Sequence, residues 1–191
     1  MKPLSLKMRA IALLAQREHS LMELRGKLLR LARARAAERA AQAEAAAAFA
    51  EEGDAQPRAV FEPESGADSP EVDVDVDVEV EVEVDTLLVW LQAQGYLDES
   101  RFVESRVHAR AARYGNRRIQ QELSQHGLSM DAEAQARLKD SELGRAREVW
   151  QRKFGGVTPE DASARAKQTR FLVGRGFSPE VVRRVLRGDH D

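Results

Sequence analysis

Apolar positions recur at helical spacing along most of the chain. Residues 5–31 put Leu6, Ile11, Leu13 and Leu14 on one face. The stretch "SLME" at 20–23 is a capping box, in which Ser20 accepts from the amide of Glu23 while Glu23 reaches back. It opens a second helix through Leu24, Leu28 and Leu31. The following "ARARAAERAAQAEAAAAFAEE" consists of good helix formers without an apolar stripe, and predicts a solvated helical extension ending at Gly53. Residues 53–70 contain three prolines and two glycines, the composition of a flexible linker.

The pattern then changes. "EVDVDVDVEVEVEVD" at 71–85 alternates seven valines with eight carboxylates, the period of a strand with one acidic face. A lone strand is unstable, and pairing with a copy of itself would set carboxylate against carboxylate. The run is therefore expected to be disordered, with a transient strand or a sheet strand as the alternatives.

Helical spacing returns from residue 84. "VDTLLVWLQAQG" carries Leu87, Leu88 and Leu91 and stops at Gly95. Asp98 caps the next helix, and Tyr96, Leu97 and Phe102 are expected to be core residues around it. "NRRIQQELSQHG" predicts a short helix, 131–154 one longer helix, and "TPED" at 158–161 a helix start at Thr158. Three helices share one grammar. Ser20, Gly115 and Ser178 stand at their starts, with Leu24, Ile119 and Val182 four residues on and Leu28, Leu123 and Leu186 eight residues on. Arg17, Arg113 and Arg175 precede the three starts by two or three residues. The starts lie 95 and 63 residues apart, which marks an internal helical repeat with extra length in its first interval.

These elements predict an all-α chain built on an internal repeat of small helical units, with a low-complexity acidic insertion between the first two. The expected divisions are a first repeat at 1–31, the helical extension at 32–52, the acidic linker at 53–83, a second repeat at 84–130 and a third at 131–191.

Charge sharpens the picture. Residues 41–85 hold fifteen Asp/Glu against one Arg, a net of −14, while the rest of the chain is +12. The whole-chain value of −2 hides a basic body, which suits a polyanion or an acidic protein surface. There is no cysteine, and the four histidines are scattered, so catalytic, cofactor and metal sites are all expected to be absent. No run approaches the roughly 18 apolar residues of a membrane span, and a soluble cytoplasmic monomer is expected. Arg106, Arg110 and Arg113 stack along one helix face, Arg117 and Arg118 open the next helix, and Arg183, Arg184 and Arg187 cluster near the C-terminus. With Arg175 they are the candidate contacts to phosphates or to an acidic surface. With few aromatic residues, base stacking is a poor candidate mode.

The segment "GYLDESRFVESRVHARAARYGNRRIQQELSQHG" at 95–127 resembles the RecX family, as do "ALLAQREHSLMELRGKL" and "RFLVGRGFSPEVVRRVL" toward the two ends. The resemblance covers about 130 residues in the family's order. It implies tandem three-helix repeats in an elongated, curved array, binding to RecA–DNA filaments, and inhibition of the ATPase and strand-exchange activities of RecA in DNA repair, recombination and the SOS response, with weak DNA contact of its own. The alternative is a helix-turn-helix protein that binds duplex DNA without RecA, using "GNRRIQQELSQHG" as its recognition helix.

Overall fold

The computed structural model describes residues 4–51 and 71–188, and these are helical with no strand. The elements are α1 (Leu6–Gln16), α2 (Leu21–Glu51), α3 (Glu71–Ala93), α4 (Glu99–Ala111), α5 (Asn116–Ser124), α6 (Ala132–Asp140), α7 (Glu142–Phe154), α8 (Ala162–Gly174) and α9 (Pro179–Arg187). They form two compact units, Met1–Leu97 and Asp98–Asp191.

The first unit contains α1, α2 and α3. Its core is built from rows spaced by four: Leu6 and Ala10, then Leu24, Leu28 and Ala32, then Val80, Val84 and Leu88, all buried. Each fully buried Leu or Val contributes about 1.5–3 kcal/mol relative to leaving it exposed. The Val/acid run is thus helical in the structure, where a disordered linker or strand was expected. The reason is arithmetic. Alternation with period two also makes every i, i+4 row uniform, so a helix can turn one valine row, Val80 and Val84, into the core and one carboxylate row toward α2, while Val76, Val78 and Val82 stay exposed. Val80 and Val84 continue into Leu88 and Leu91. Asp77, Glu81 and Asp85 form the acidic row and meet the arginines of α2. Arg33 bonds Asp77 at 2.9 Å and Glu81 at 3.2 Å, while Arg25 bonds Asp85 at 2.7 Å and Glu81 at 3.4 Å. Ascending numbers in α2 pair with descending numbers in α3, so the two helices are antiparallel. Residues 53–70, the rest of the expected linker, lie outside the described residues.

Further expectations are corrected here. α3 runs unbroken from Glu71 to Ala93 and packs on α1 and α2, so residues 84–97 belong with the first repeat rather than the second. The extension of α2 is helical to Glu51, but Ala32 is buried and Arg33 is engaged by α3; residues 37–49 are the solvated part. The single helix expected over 131–154 breaks at Ser141, where Arg145 donates to the Leu138 carbonyl that a continuous helix would engage. α8 starts from Asp161, whose carboxylate accepts from the amide of Ala164 at 2.6 Å, and not from Thr158. Tyr96 is 45% exposed: beyond the left-handed Gly95 its ring stacks on Trp90, with centroids 5.8 Å apart. Leu97 and Phe102 are buried as expected, and Asp98 accepts from the amides of Ser100 and Arg101 at 2.8 and 3.2 Å.

In the second unit, Phe102, Ile119, Leu123 and Leu138 form one core. Ala146, Val149, Trp150, Leu172, Phe177, Val182, Val185 and Leu186 form another. The indole of Trp150 donates to Gln168 at 2.7 Å inside the second core.

Candidate polyanion-binding surface

The repeat read from the chain is a helical hairpin. α1–α2, α4–α5 and α8–α9 are each joined by four residues: "REHS", "ARYG" and "RGFS". All six apolar residues at the four- and eight-residue offsets are buried. The third position of each turn carries a ring, His19, Tyr114 or Phe177, and the fourth is the cap. Ser20 accepts from the amide of Glu23 at 3.1 Å, and Ser178 from Val181 at 3.4 Å. The recurring ring went unnoticed in the sequence because its three members differ in chemistry.

His19 is buried, with Nδ1 at 2.9 Å from the carbonyl of Arg17 and Nε2 at 2.9 Å from the Lys27 ammonium. Nδ1 therefore carries the proton and donates, and Nε2 accepts. Burial, together with the charges of Arg17 and Lys27, lowers the His19 pKa. Burial alone would raise Glu23, but hydrogen bonds from Arg17 and Lys27 outweigh it and bring its pKa to about 2.

The second and third hairpins meet through backbone. The amide of Gly115 donates to the Arg175 carbonyl at 2.9 Å, and that of Arg117 to Gly176 at 3.1 Å. A Cβ at Gly115 would stand 2.2 Å from the amide nitrogen of Phe177. Gly176 has φ +84°, and a Cβ there would meet Arg118 at 2.6 Å. The buried Glu142 carboxylate accepts from the amides of Asn116 at 3.1 Å and Ser178 at 3.2 Å, so one anion serves the N-termini of both α5 and α9. Arg145 donates to the carbonyls of Ala111, Tyr114 and Leu138 and to the side chain of Asn116. Burial lowers its pKa, with Glu142 opposing the shift. Sequence reasoning missed Glu142 and Arg145, since both look like ordinary charges on an amphipathic helix.

Beside this joint lies a cleft of about 370 Å³, lined by Arg113, Arg152, Lys153 and Arg175 with Tyr114 and Phe171 and by no carboxylate. Arg152 is held by the carbonyl of Ala112 at 2.7 Å, and the Arg175 guanidinium lies over the Phe171 ring at 4.1 Å. Four cations converging without a counter-charge concentrate positive potential where an anion would be drawn. Arg113 and Arg175 were expected candidates; Arg152 and Lys153 were not, because cations in the last turn of α7 already suit the helix dipole.

The other candidates are distributed differently. Arg106 lies over the Phe102 ring at 5.3 Å with a nitrogen 3.4 Å from His126. Arg110 pairs with Glu122 at 2.8 Å, and Arg118 approaches the same carboxylate at 3.5 Å. These three serve the packing of α4 and α5. Arg117 stands exposed at the first turn of α5, beside the Gly176 contact. Arg183 and Arg187 line a separate groove on α9, and Arg184 is half-buried on the same helix. Among the described residues no three acidic or histidine side chains converge as a metal site, and no helix is long and apolar enough to cross a membrane.

Fold and site together define a helical-repeat protein with a cation-lined cleft at the joint of two repeats. The RecX second three-helix domain matches residues 98–136, and the RecX third three-helix domain matches residues 140–186. The first span covers α4, α5 and the start of α6 and the second covers α7–α9, so the repeated hairpin is followed by its extra helix in one domain and preceded by it in the other. The chain is 40% identical over 189 residues to the "Regulatory protein RecX" of Ralstonia nicotianae, covering 98% of this chain and 89% of that one. It is 37% identical to that of Herminiimonas arsenicoxydans over 98% of this chain and 94% of the relative. With the protein of the same name from Leptothrix cholodnii it shares 52% over 104 residues, 53% of this chain and 66% of the relative. The chain belongs to the RecX family.

Proposed function

We propose that the protein is a non-enzymatic cytoplasmic regulator that binds RecA–DNA filaments and inhibits the ATPase and strand-exchange activities of RecA during recombination and repair. The observation that carries this reading is the cleft at the joint, where Arg113, Arg152, Lys153 and Arg175 converge with no carboxylate among the lining residues. Such a site suits a DNA phosphate or a carboxylate of the filament surface. It is built from two repeats pinned together by Gly115, Gly176 and Glu142, so its cations are held at fixed separation. Binding along the filament as a monomer would bridge neighbouring RecA subunits and hinder their ATP-linked rearrangement.

The duplex-binding alternative needs the first residues of α5 free to enter a major groove. The carbonyls of Arg175 and Gly176 occupy the amides at that end, and Glu142 takes the amide of Asn116. That geometry counts against it.

Titration of RecA ATPase on single-stranded DNA tests the reading. Inhibition well below one protein per RecA is the expected result. Tight, steeply salt-dependent duplex binding with unchanged ATPase at equimolar protein would favour the alternative.

A further inference from the structure

A second cationic surface shares no lining residue with the cleft, except that both lie in the second unit. α8 and α9 enclose a groove of about 440 Å³. Val173, Val182 and Leu186 supply an apolar floor, and Arg165, Arg183 and Arg187 supply the rim, again with no carboxylate among the lining residues. The spacing explains the arrangement: Val182 and Leu186 form one row of α9, Arg183 and Arg187 the row beside it, and Arg165 and Val173 stand two turns apart on α8.

Two features set this groove apart from an ordinary solvated face. Val173 is 44% exposed although it adjoins the buried core residues Val182 and Leu186. Arg165 stands near the N-terminus of α8, where a cation opposes the helix dipole, so its position is not explained by helix stability. Arg187, in the last turn of α9, does suit the dipole of its own helix. None of the three guanidinium groups has an ion-pair partner among the described residues.

We propose that this groove binds an acidic peptide segment carrying one bulky apolar side chain. The apolar side chain seats over Val173, Val182 and Leu186, and carboxylates on either side of it meet Arg165, Arg183 and Arg187. A nucleic-acid backbone would satisfy the arginines but would leave the valine and leucine floor against sugar and phosphate. The floor therefore selects a peptide, and the rim selects its charge. The site works independently of the cleft at the joint and of whatever occupies that cleft.

The test uses the full chain and a fluorescein-labelled synthetic peptide in which Asp and Glu flank a single Phe, followed by fluorescence anisotropy at low salt. Saturable binding is expected. Arg183→Glu combined with Arg187→Glu should weaken it by at least about tenfold, as should replacing the peptide's Phe by Ala. Val173→Ser, which removes apolar surface and leaves the charge, should weaken it several-fold, whereas Arg152→Glu should leave it unchanged. All of these positions are exposed, and an unchanged Trp150 melting curve confirms that each variant is folded. The proposal is overturned if no saturable binding occurs or if affinity ignores the peptide's Phe. A single-stranded oligonucleotide of equal charge that binds the groove more tightly than the peptide would overturn it as well.

Discussion

α3 is held against α2 by exposed ion pairs laid over a stripe of valines, whereas the second and third hairpins are held together by buried groups. In the first case Arg25 and Arg33 each reach two carboxylates of the acidic row, in contact with water. In the second, two glycines allow backbone to touch backbone, the buried Glu142 satisfies two helix-end amides, and the half-buried Arg145 satisfies carbonyls. Exposed pairs are screened and replaceable, while buried polar groups are costly to leave unpaired. The α2–α3 pairing should therefore tolerate change that the joint does not.

The two tryptophans allow each region to be followed separately, since Trp90 lies in the first unit and Trp150 in the second. The sharpest break is Gly115→Val. With even its Cβ placed 2.2 Å from the Phe177 amide nitrogen, the joint must open, and a loss of at least about 3 kcal/mol is expected in denaturant unfolding read at Trp150. Next comes Glu142→Ala, which strands the amides of Asn116 and Ser178 and should cost roughly 2–3 kcal/mol by the same readout.

A milder test exchanges the chemistry of equivalent turns. His19 occupies the position that Phe177 fills in the third hairpin. It is held neutral in the fold with its pKa lowered, so the unfolded chain takes up the proton first as pH falls below the ordinary value of 6.5. Stability is complete above 6.5 and declines below it. Melting of the first unit, read at Trp90, should drop as pH falls below about 6.5, and His19→Phe should flatten that slope. Glu23 contributes in the same direction only at lower pH, as its stabilisation is lost between 4.5 and about 2. The smallest effect is expected from Arg33→Gln, which should lower Trp90 melting slightly, with the difference from the parent chain shrinking as salt rises to ~0.5 M.

Much of this fold was legible from spacing alone. Leu24, Leu28, Ile119, Leu123, Val182 and Leu186 lie in the core because offsets of four and eight fix a helix face whatever the tertiary arrangement. The Asp98 cap was likewise local and readable. The Val/acid run was misread because its period of two matches a strand, whereas the packing of Val80 and Val84 and the arginines of α2 hold it as a helix. At the surface, Arg113 and Arg175 could be singled out by their place before a helix start. Arg152 and Lys153 join them only because α7 is folded against the joint, a tertiary relation with no trace in local spacing.

On the proposed reading, the cation cleft at the joint carries RecA inhibition, whereas the arginines of α2 are engaged by α3. The most direct measurement is RecA ATPase on single-stranded DNA, titrated with Arg152→Glu combined with Lys153→Glu, and in parallel with Arg25→Gln combined with Arg33→Gln. The account predicts that the cleft variant loses at least about tenfold in inhibitory potency, while the α2 variant inhibits like the parent chain. Full potency in the cleft variant, or an equal loss in both, would contradict it.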